Sequence, residues 1–387
     1  MKSLSNHYGL QDITNLNSNI LKKIKKLEII TNGKYYSEIE KKISQIVRSK
    51  YTVTCNNGTS ALMMSILSLE IKNIIAIIPN INFVASTNIL SLINAKFVLC
   101  DVNKETGMID LNTFKEVISL CKKKKIKPNL FIPMHYAGNI LDLSEISKIC
   151  KKNSIKIIED GCHSFGSSTR DKHKNKLNLG SCKYSDLTTF SFHPVKNITT
   201  FEGGAVTTNN YSLFKKLVSL RSHSLEKTFL SDPYNLKRPS LNFRMSEINA
   251  IVGLNQLIKL NSFRNKRNSI VKKYLKCFNK LSNKITCINF SDDAIFWHLF
   301  VIQIKKISNV GKMRLMKYLN EKKIGCQIHY KPLYKHKIYK KNILFSKKLN
   351  SDIFYKTSLS LPLHTRLKEK DLIYVSNKVK NFVNKYV

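Results

Sequence analysis

Acid and arginine are both scarce in this chain. Its 387 residues carry 25 Asp and Glu against 66 Lys and Arg, a formal charge of +41, and only nine of the 66 are arginine. A basic excess of this size points first to nucleic acid or an anionic membrane. The scarcity of arginine argues against sequence-specific DNA recognition, because base edges are read by bidentate guanidinium groups. The lysines are spread over the whole length. Their densest run, Lys122 to Lys125, ends a helix-like stretch before Pro128 and reads as a solvated helix end. Lysine, isoleucine and asparagine rise together, as in Asn56-Asn57 and Ile74-Ile75, which fits an A+T-rich genome better than a selected surface. No nucleic-acid partner is expected.

Other absences narrow the class. The nine cysteines include no Cys-x-x-Cys pair, and their number is odd. That excludes a disulfide framework and a zinc ligand set, and it fits reduced thiols with no metal. No apolar run approaches a membrane span, and residues 1–20 hold no apolar core flanked by a cleavage site. A soluble, cytoplasmic protein without a membrane partner is the expectation. Internal repeats, Gly/Ser tracts and low-complexity linkers are absent. What remains is a chain with 42% hydrophobic residues, enough for a real core, and long enough for a large domain plus a smaller one.

Between about residues 50 and 210, short apolar runs alternate with helical patterns. Strands are expected at 74–78, 96–102, 129–135, 155–159, 187–192 and 205–208, with helices at 59–71, 85–93, 112–123 and 143–152. This alternation implies βαβ units and an α/β architecture with a mostly parallel sheet between helices. The strands are apolar without strict alternation, as strands covered on both faces are. After Gly204 the pattern changes. One long helix is expected over 246–281, then a strand at 296–304, a helix at 311–322, a strand at 325–330 and a terminal helix at 368–383. The expected division is a large domain over 1–260 and a smaller α+β domain over 261–387.

Ligands of open α/β sheets gather beyond the carboxyl ends of the strands. Four features fall at such ends. Asn57-Gly58-Thr59-Ser60 follows a strand and opens a helix, so its N–H groups and hydroxyls suit a phosphate; an N-cap with a turn is the plainer reading. Glu159-Asp160 closes an apolar strand, and a buried Asp160 requires a cationic or proton-donating partner. Lys196 follows another apolar strand in a turn set by Pro194, with hydroxyl residues behind it and Glu202-Gly203-Gly204 beyond. Most lysines of this chain must be solvated, so Lys196 stands out by its context alone. The fourth feature, residues 328–332, is a polar cluster without an assignment on physical grounds. A lysine, an acid and a phosphate cradle at neighbouring strand ends are what pyridoxal phosphate requires: a Schiff base, a partner for its ring nitrogen and anchors for its phosphate.

The ordered set of motifs resembles the DegT/DnrJ/StrS sugar aminotransferases over nearly the whole chain. It comprises residues 57–62, 79–88, 101–110, 159–166, 191–200, 202–206, 242–248 and 360–363. The resemblance implies a pyridoxal-phosphate-dependent, aspartate-aminotransferase-like fold. It implies that Lys196 holds the cofactor as a Schiff base and moves the proton, and that Asp160 pairs with the ring nitrogen. His163 would sit near the ring hydroxyl, and Phe83 would stack on the ring face. Gly58, Thr59, Ser60 and Ser191 would hold the phosphate. Asn242 would reach the cofactor of a neighbouring subunit, which implies a homodimer with shared active sites. Relatives with His in place of this lysine are dehydratases, so Lys196 favours transamination.

Within the family, residues 327–334, Phe354-Tyr355 and Ser360-Leu361-Pro362 resemble the branch that acts in pseudaminic acid synthesis. Its substrate is a UDP-linked 4-keto-6-deoxy-N-acetylhexosamine. That implies substrate contacts from Tyr8, Glu28, Ile29, Ile30, Thr31, His329, Tyr330, Lys331 and Pro332, with L-glutamate as amino donor and 2-oxoglutarate as its product. Three positions depart from the pattern. Glu28 stands where some relatives carry a basic residue, Phe201 where a small residue usually precedes Glu-Gly-Gly, and Ser224 in place of the usual glycine. They bear on substrate identity more than on chemistry. Two alternatives stay open: another nucleotide-sugar 4-aminotransferase of the bacillosamine or 4-amino-arabinose type, and a cofactor- or nucleic-acid-binding regulator.

Overall fold

A computed structural model describes residues 9, 18–171, 174–226, 235–279, 281–288 and 294–387. Tyr8 lies outside the described residues. Helices α1 (Ser18–Lys25) and α2 (Lys34–Val47) lead into β1 (Tyr51–Cys55). Then follow α3 (Gly58–Ser68), β2 (Ile75–Pro79), α4 (Ala85–Leu92), β3 (Lys96–Cys100), α5 (Leu111–Lys123), β4 (Leu130–Phe131), α6 (Ser144–Lys152) and β5 (Lys156–Asp160). β6 (Leu187–Ser191) and β7 (Gly204–Thr208) close this part. Each expected strand and helix of this region is present, with ends shifted by a few residues. Helices begin where a short polar side chain can accept an orphan N–H. Asn57 accepts from Ser60 at the head of α3, and Asp110 accepts from Thr113 at the head of α5.

Further along come α7 (Tyr211–Arg221), α8 (Glu247–Ile258), α9 (Leu260–Asn279), β8 (Ile285–Cys287), β9 (Phe300–Ile304), α10 (Asn309–Glu321), β10 (Ile343–Ser346), α11 (Leu349–Thr357), β11 (Ser358–Leu361) and α12 (Glu369–Tyr386). Among the described residues, eight strands form one sheet in the order β1-β7-β6-β5-β4-β2-β3-β10. It is parallel except at β7, which runs antiparallel to β1 and β6. A smaller antiparallel sheet has the order β8-β9-β11.

The unbroken apolar runs are explained by the two faces they serve. On one face Ile78, Leu99, Leu130 and Ile158 join α3, α4 and α7 in one core. Their neighbours Ile77, Val98, Phe131 and Ile157 point the other way, into a core with Phe114 of α5, Ile146 of α6 and Phe354 of α11. The smaller sheet packs on α9, α10 and α12 around Tyr274, Phe300, Leu315 and Val379.

Three expectations differ from the structure. The long helix is two helices, parted at Lys259, whose backbone leaves the helical region at φ −95° and ψ 2°. The break lets α8 lie on α2, where a Cβ on Gly253 would come within 2.5 Å of Ile39, while α9 turns into the smaller sheet's core. The stretch 325–330 makes no strand. Its backbone pairs with β11 only between Gln327 and Ser360, then departs so that the Leu333 N–H reaches Asn80 O at 2.9 Å. It is a crossing segment from the small sheet to the large one. Finally, β10 was not expected; it comes from late in the chain and extends the large sheet beside β3.

Candidate active site

The carboxyl ends of β1, β5 and β6 meet the start of β7 at one edge of the large sheet. Cys55 pairs with Gly204, and Ser191 pairs with Gly204 from the other side. The approach is tight: a Cβ on Gly204 would lie 2.4 Å from Asn57 O, and one on Gly58 would lie 2.7 Å from the Ser191 Cβ. Only glycine admits these contacts. They bring the head of α3 against Ser191. Asn57 takes the N–H groups of Ser60 and Ala61, which leaves Gly58 and Thr59 leading the helix. Thr59 is exposed and Ser60 buried. The positive end of α3 and these hydroxyls form a cradle with the chemistry of an anion site.

The paired carboxylates of β5 separate to opposite sides of the strand. Glu159 is structural. It accepts from His135 Nε2 at 2.8 Å and from the hydroxyls of Ser185 and Thr188. Burial alone would raise its pKa, but these bonds outweigh burial and hold it below the usual carboxylate range. Asp160 turns to the other side, buried, and accepts the Cys162 N–H at 3.1 Å.

Lys196 ends a turn whose Lys196 N–H donates to His193 O at 2.9 Å. Its ammonium is desolvated, which lowers its pKa; Cys162 and Asp160 act in the opposite direction. The amine therefore lies within the field of both the Cys162 sulfur and the Asp160 carboxylate. Burial, then Asp160, push that thiol well above its ordinary value.

His163 follows three residues after Asp160. Its Nδ1 receives the Ala137 N–H at 3.4 Å, and its Nε2 lies 2.9 Å from the Tyr330 hydroxyl. Burial, followed by Lys196, His298 and His329, holds the imidazole neutral, well below the usual histidine range. The crossing segment closes this side. His329 Nδ1 lies 2.8 Å from Ser360 Oγ, and its carbonyl accepts the Tyr136 hydroxyl at 2.6 Å. Tyr330 meets Phe83, with ring centroids 5.6 Å apart, and Phe83 is otherwise half exposed. Lys331 is exposed and Pro332 buried.

The structure thus brings together Gly58, Thr59, Ser60 and Ser191 at the cradle. It also groups Asp160, His163, Lys196, His329 and Tyr330, with Phe83 against Tyr330. Asn242 sits beside the cradle on the surface, and its carbonyl is 3.5 Å from Asn56 Nδ2. Glu28, Ile29, Ile30 and Thr31 form an exposed loop, tied down where Ile30 O accepts the Glu247 N–H at 2.8 Å. Phe201 and Ser224 both adopt left-handed backbone, at φ +66° and +56°.

Sequence reasoning missed Tyr136, Ala137, Glu247 and His298. His298 was read inside a strand at 296–304, although β9 starts only at Phe300. A histidine beside the single tryptophan, in an otherwise apolar run, was the available signal.

The residues fit pyridoxal phosphate: a glycine-bounded cradle, a desolvated lysine and a buried carboxylate share one edge of the sheet. Among the described residues no group of His, Cys, Asp or Glu could hold a metal ion, and no helix is long and apolar enough to cross a membrane.

The fold agrees with the relatives. The DegT/DnrJ/EryC1/StrS aminotransferase family matches residues 11–380, and the chain belongs to that family. A Campylobacter jejuni protein, UDP-4-amino-4,6-dideoxy-N-acetyl-beta-L-altrosamine transaminase, is 34% identical over 379 residues, covering 98% of this chain and 97% of the relative. Among solved structures, Helicobacter pylori PseC, an aminotransferase involved in the biosynthesis of pseudoaminic acid, is similar with a TM-score of 0.88 at 26% identity. That likeness covers 98% of this chain and 99% of PseC. The putative sugar aminotransferase Spr1654 from Streptococcus pneumoniae, in its PLP form, has a TM-score of 0.87 at 25% identity over 98% of this chain and 99% of its own.

Proposed function

We propose that this chain is a pyridoxal-phosphate-dependent aminotransferase that moves an amino group from L-glutamate to the 4-keto carbon of a UDP-linked 4-keto-6-deoxy-N-acetylhexosamine. The observation that carries the reading is Lys196, a desolvated amine in the field of Asp160 beside the α3 cradle. When bound, pyridoxal phosphate supplies an electron sink that lets an amino group pass between two carbon skeletons.

The chain's own residues supply the rest. Lys196 Nζ is a base of reduced pKa and moves a proton within the cleft. Asp160 offers a carboxylate to a protonated ring nitrogen. Gly58, Thr59, Ser60 and Ser191 bind a phosphate at the positive end of α3. His163 keeps its proton on Nε2, because Nδ1 accepts from Ala137. His329, Tyr330, Lys331 and Pro332, with the 28–31 loop, face the sugar nucleotide.

A homodimer completes the reading. Ile29, Ile30, Phe201, Leu241 and Ile248 are exposed apolar residues on segments tied to the head of α8 through Glu247 and Asn249. Such a patch beside a site calls for a partner surface. All nine cysteines are unpaired, which supports a cytoplasmic setting.

The test is direct. Purified enzyme is incubated with glutamate and a panel of UDP- and dTDP-linked keto sugars, and products are identified by NMR. A 4-amino sugar formed from the UDP-linked N-acetylhexosamine, with 2-oxoglutarate released, supports the reading. Turnover that survives Lys196→Ala, or no amine product from any sugar, refutes it.

A further inference from the structure

His298 packs against the imidazole that the site presents. It is buried, and its ring centroid lies 4.3 Å from that of His163, with the planes at 50°. Its backbone is held on both sides. The His298 N–H donates to Ala137 O at 3.0 Å. The His298 carbonyl accepts from Arg267 Nη1 at 3.2 Å, and the same nitrogen reaches Trp297 O at 3.3 Å and Leu363 O at 3.1 Å. Arg267 is itself fully buried on α9.

Ala137 registers the two rings. It adopts φ +59°, a left-handed conformation that a residue with a Cβ takes only when its surroundings compel it. That turn sends its N–H to His163 Nδ1 and its carbonyl to the N–H groups of His298 and Leu299. The next residue, Gly138, lies so close to this segment that a Cβ would come within 2.4 Å of Phe296 O. The 136–138 turn and the 296–299 segment are therefore one unit, and His163 lies between that unit and Tyr330.

We infer that His298 is a positioning residue: with its backbone seated by Ala137 and Arg267, its ring holds the plane of His163 and shields it from water where that imidazole meets the cofactor, while the Ala137 N–H sets the Nε2–H tautomer. The inference rests on the proposed cofactor only for what His163 meets; the coupling of the two histidines belongs to the protein alone. The groups that face the pair are Lys196 and His193 from the turn after β6, and His329 and Tyr330 from the crossing segment. Tyr136 approaches from the turn after β4, and Arg267 from α9. In this mostly cationic and aromatic setting, burial first and Lys196 second keep both imidazoles neutral.

The test compares His298→Ala with His298→Phe, which restores a ring of similar shape. Cofactor-free protein labelled with 15N-histidine is titrated between about pH 5 and 8, where an ordinary imidazole changes charge. His163→Gln assigns the His163 signal. In wild type and in His298→Phe, His163 stays a neutral Nε2–H imidazole throughout. In His298→Ala, where the lost ring lets water reach His163, it titrates within this range. In parallel, visible circular dichroism of added pyridoxal phosphate weakens in His298→Ala, with binding loosened about three- to tenfold, the worth of one ring–ring contact. Both signals recover in His298→Phe. If the alanine variant does not fold, His298→Leu replaces it with the same expectations. An unchanged His163 signal in the alanine or leucine variant overturns the inference, as does failure of phenylalanine to restore it. Absence of cofactor binding by every variant and by wild type, with the His163 behaviour as described, would refute the cofactor reading while leaving the coupling of the two rings intact.

Discussion

Tyr330 places its hydroxyl 2.9 Å from His163 Nε2, joining residues 167 apart in sequence. The bond ties the crossing segment to the end of β5, and the same ring meets Phe83. Tyr330→Phe keeps the ring contact and removes the bond. A neutral hydrogen bond contributes about 0.5–1.5 kcal/mol, so kcat/KM should fall roughly three- to tenfold while the melting temperature barely moves. Steady-state kinetics with the preferred keto sugar checks this; wild-type kcat/KM would show that the bond is idle.

Glu247 has no solvent exposure, and its carboxylate accepts the N–H groups of Gly33, Tyr35 and Tyr36 at 2.8, 2.9 and 3.1 Å. One residue of α8 thus caps α2 through its carboxylate, while its backbone N–H anchors the 28–31 loop at Ile30 O. Glu247→Gln removes the charge and puts a donor where three donors converge. A loss of about 2 kcal/mol or more in stability is expected, with a raised KM for the sugar nucleotide. Urea denaturation and kinetics measure both, and the visible spectrum of bound cofactor should be retained.

Lys312 is buried on α10, 4.2 Å from the Tyr355 ring centroid, with its ammonium donating to Tyr355 O. Lys335 shares that ring from 4.9 Å. Burial, and then Lys335, push the Lys312 amine down to about 8 from 10.5. The folded protein therefore binds this proton less tightly than the unfolded chain does. The penalty is full below about pH 8, shrinks as pH rises to 10.5 and is gone above it. Between those limits wild type should gain on Lys312→Met by of the order of 3 kcal/mol. Denaturation of both proteins at pH 7, 9 and 10.5 reads the difference, and a constant offset would contradict it.

Ser224 is buried at φ +56°, and its hydroxyl has no partner among the described residues. Ser224→Gly relieves the left-handed backbone and removes the unpaired group. Stability should rise by about 1 kcal/mol, partly offset by the extra freedom of glycine in the unfolded chain. Thermal denaturation decides it: no gain would mean that the turn costs serine little.

The cradle, Asp160 and Lys196 were legible in the sequence because each stands where an apolar strand stops, and strand ends are visible in the order of residues. Glu159 was legible as a charge but not as a structural one, since its partners His135, Ser185 and Thr188 come from two other segments. Ala137, Glu247 and His298 carry no local pattern; their roles exist only as contacts across more than a hundred residues or through an unusual φ. The same limit applies to the crossing segment, whose apolar and polar residues resemble a strand until Asn80 and Ser360 pull its two ends to different sheets. At Lys259 no glycine or proline marks the break, so periodicity alone ran the two helices together.

The place of β10 has a consequence for how the protein is made. Phe97, Val98 and Leu99 of β3 pair with residues 343–346, which leave the ribosome long after β3 does. Until then the outer edge of a hydrophobic sheet stands open beside an already formed core, an invitation to pair with another nascent chain. Deleting residue 340 onward should therefore yield insoluble protein rather than a soluble fragment, and translation rate between β3 and β10 should govern the yield of folded enzyme.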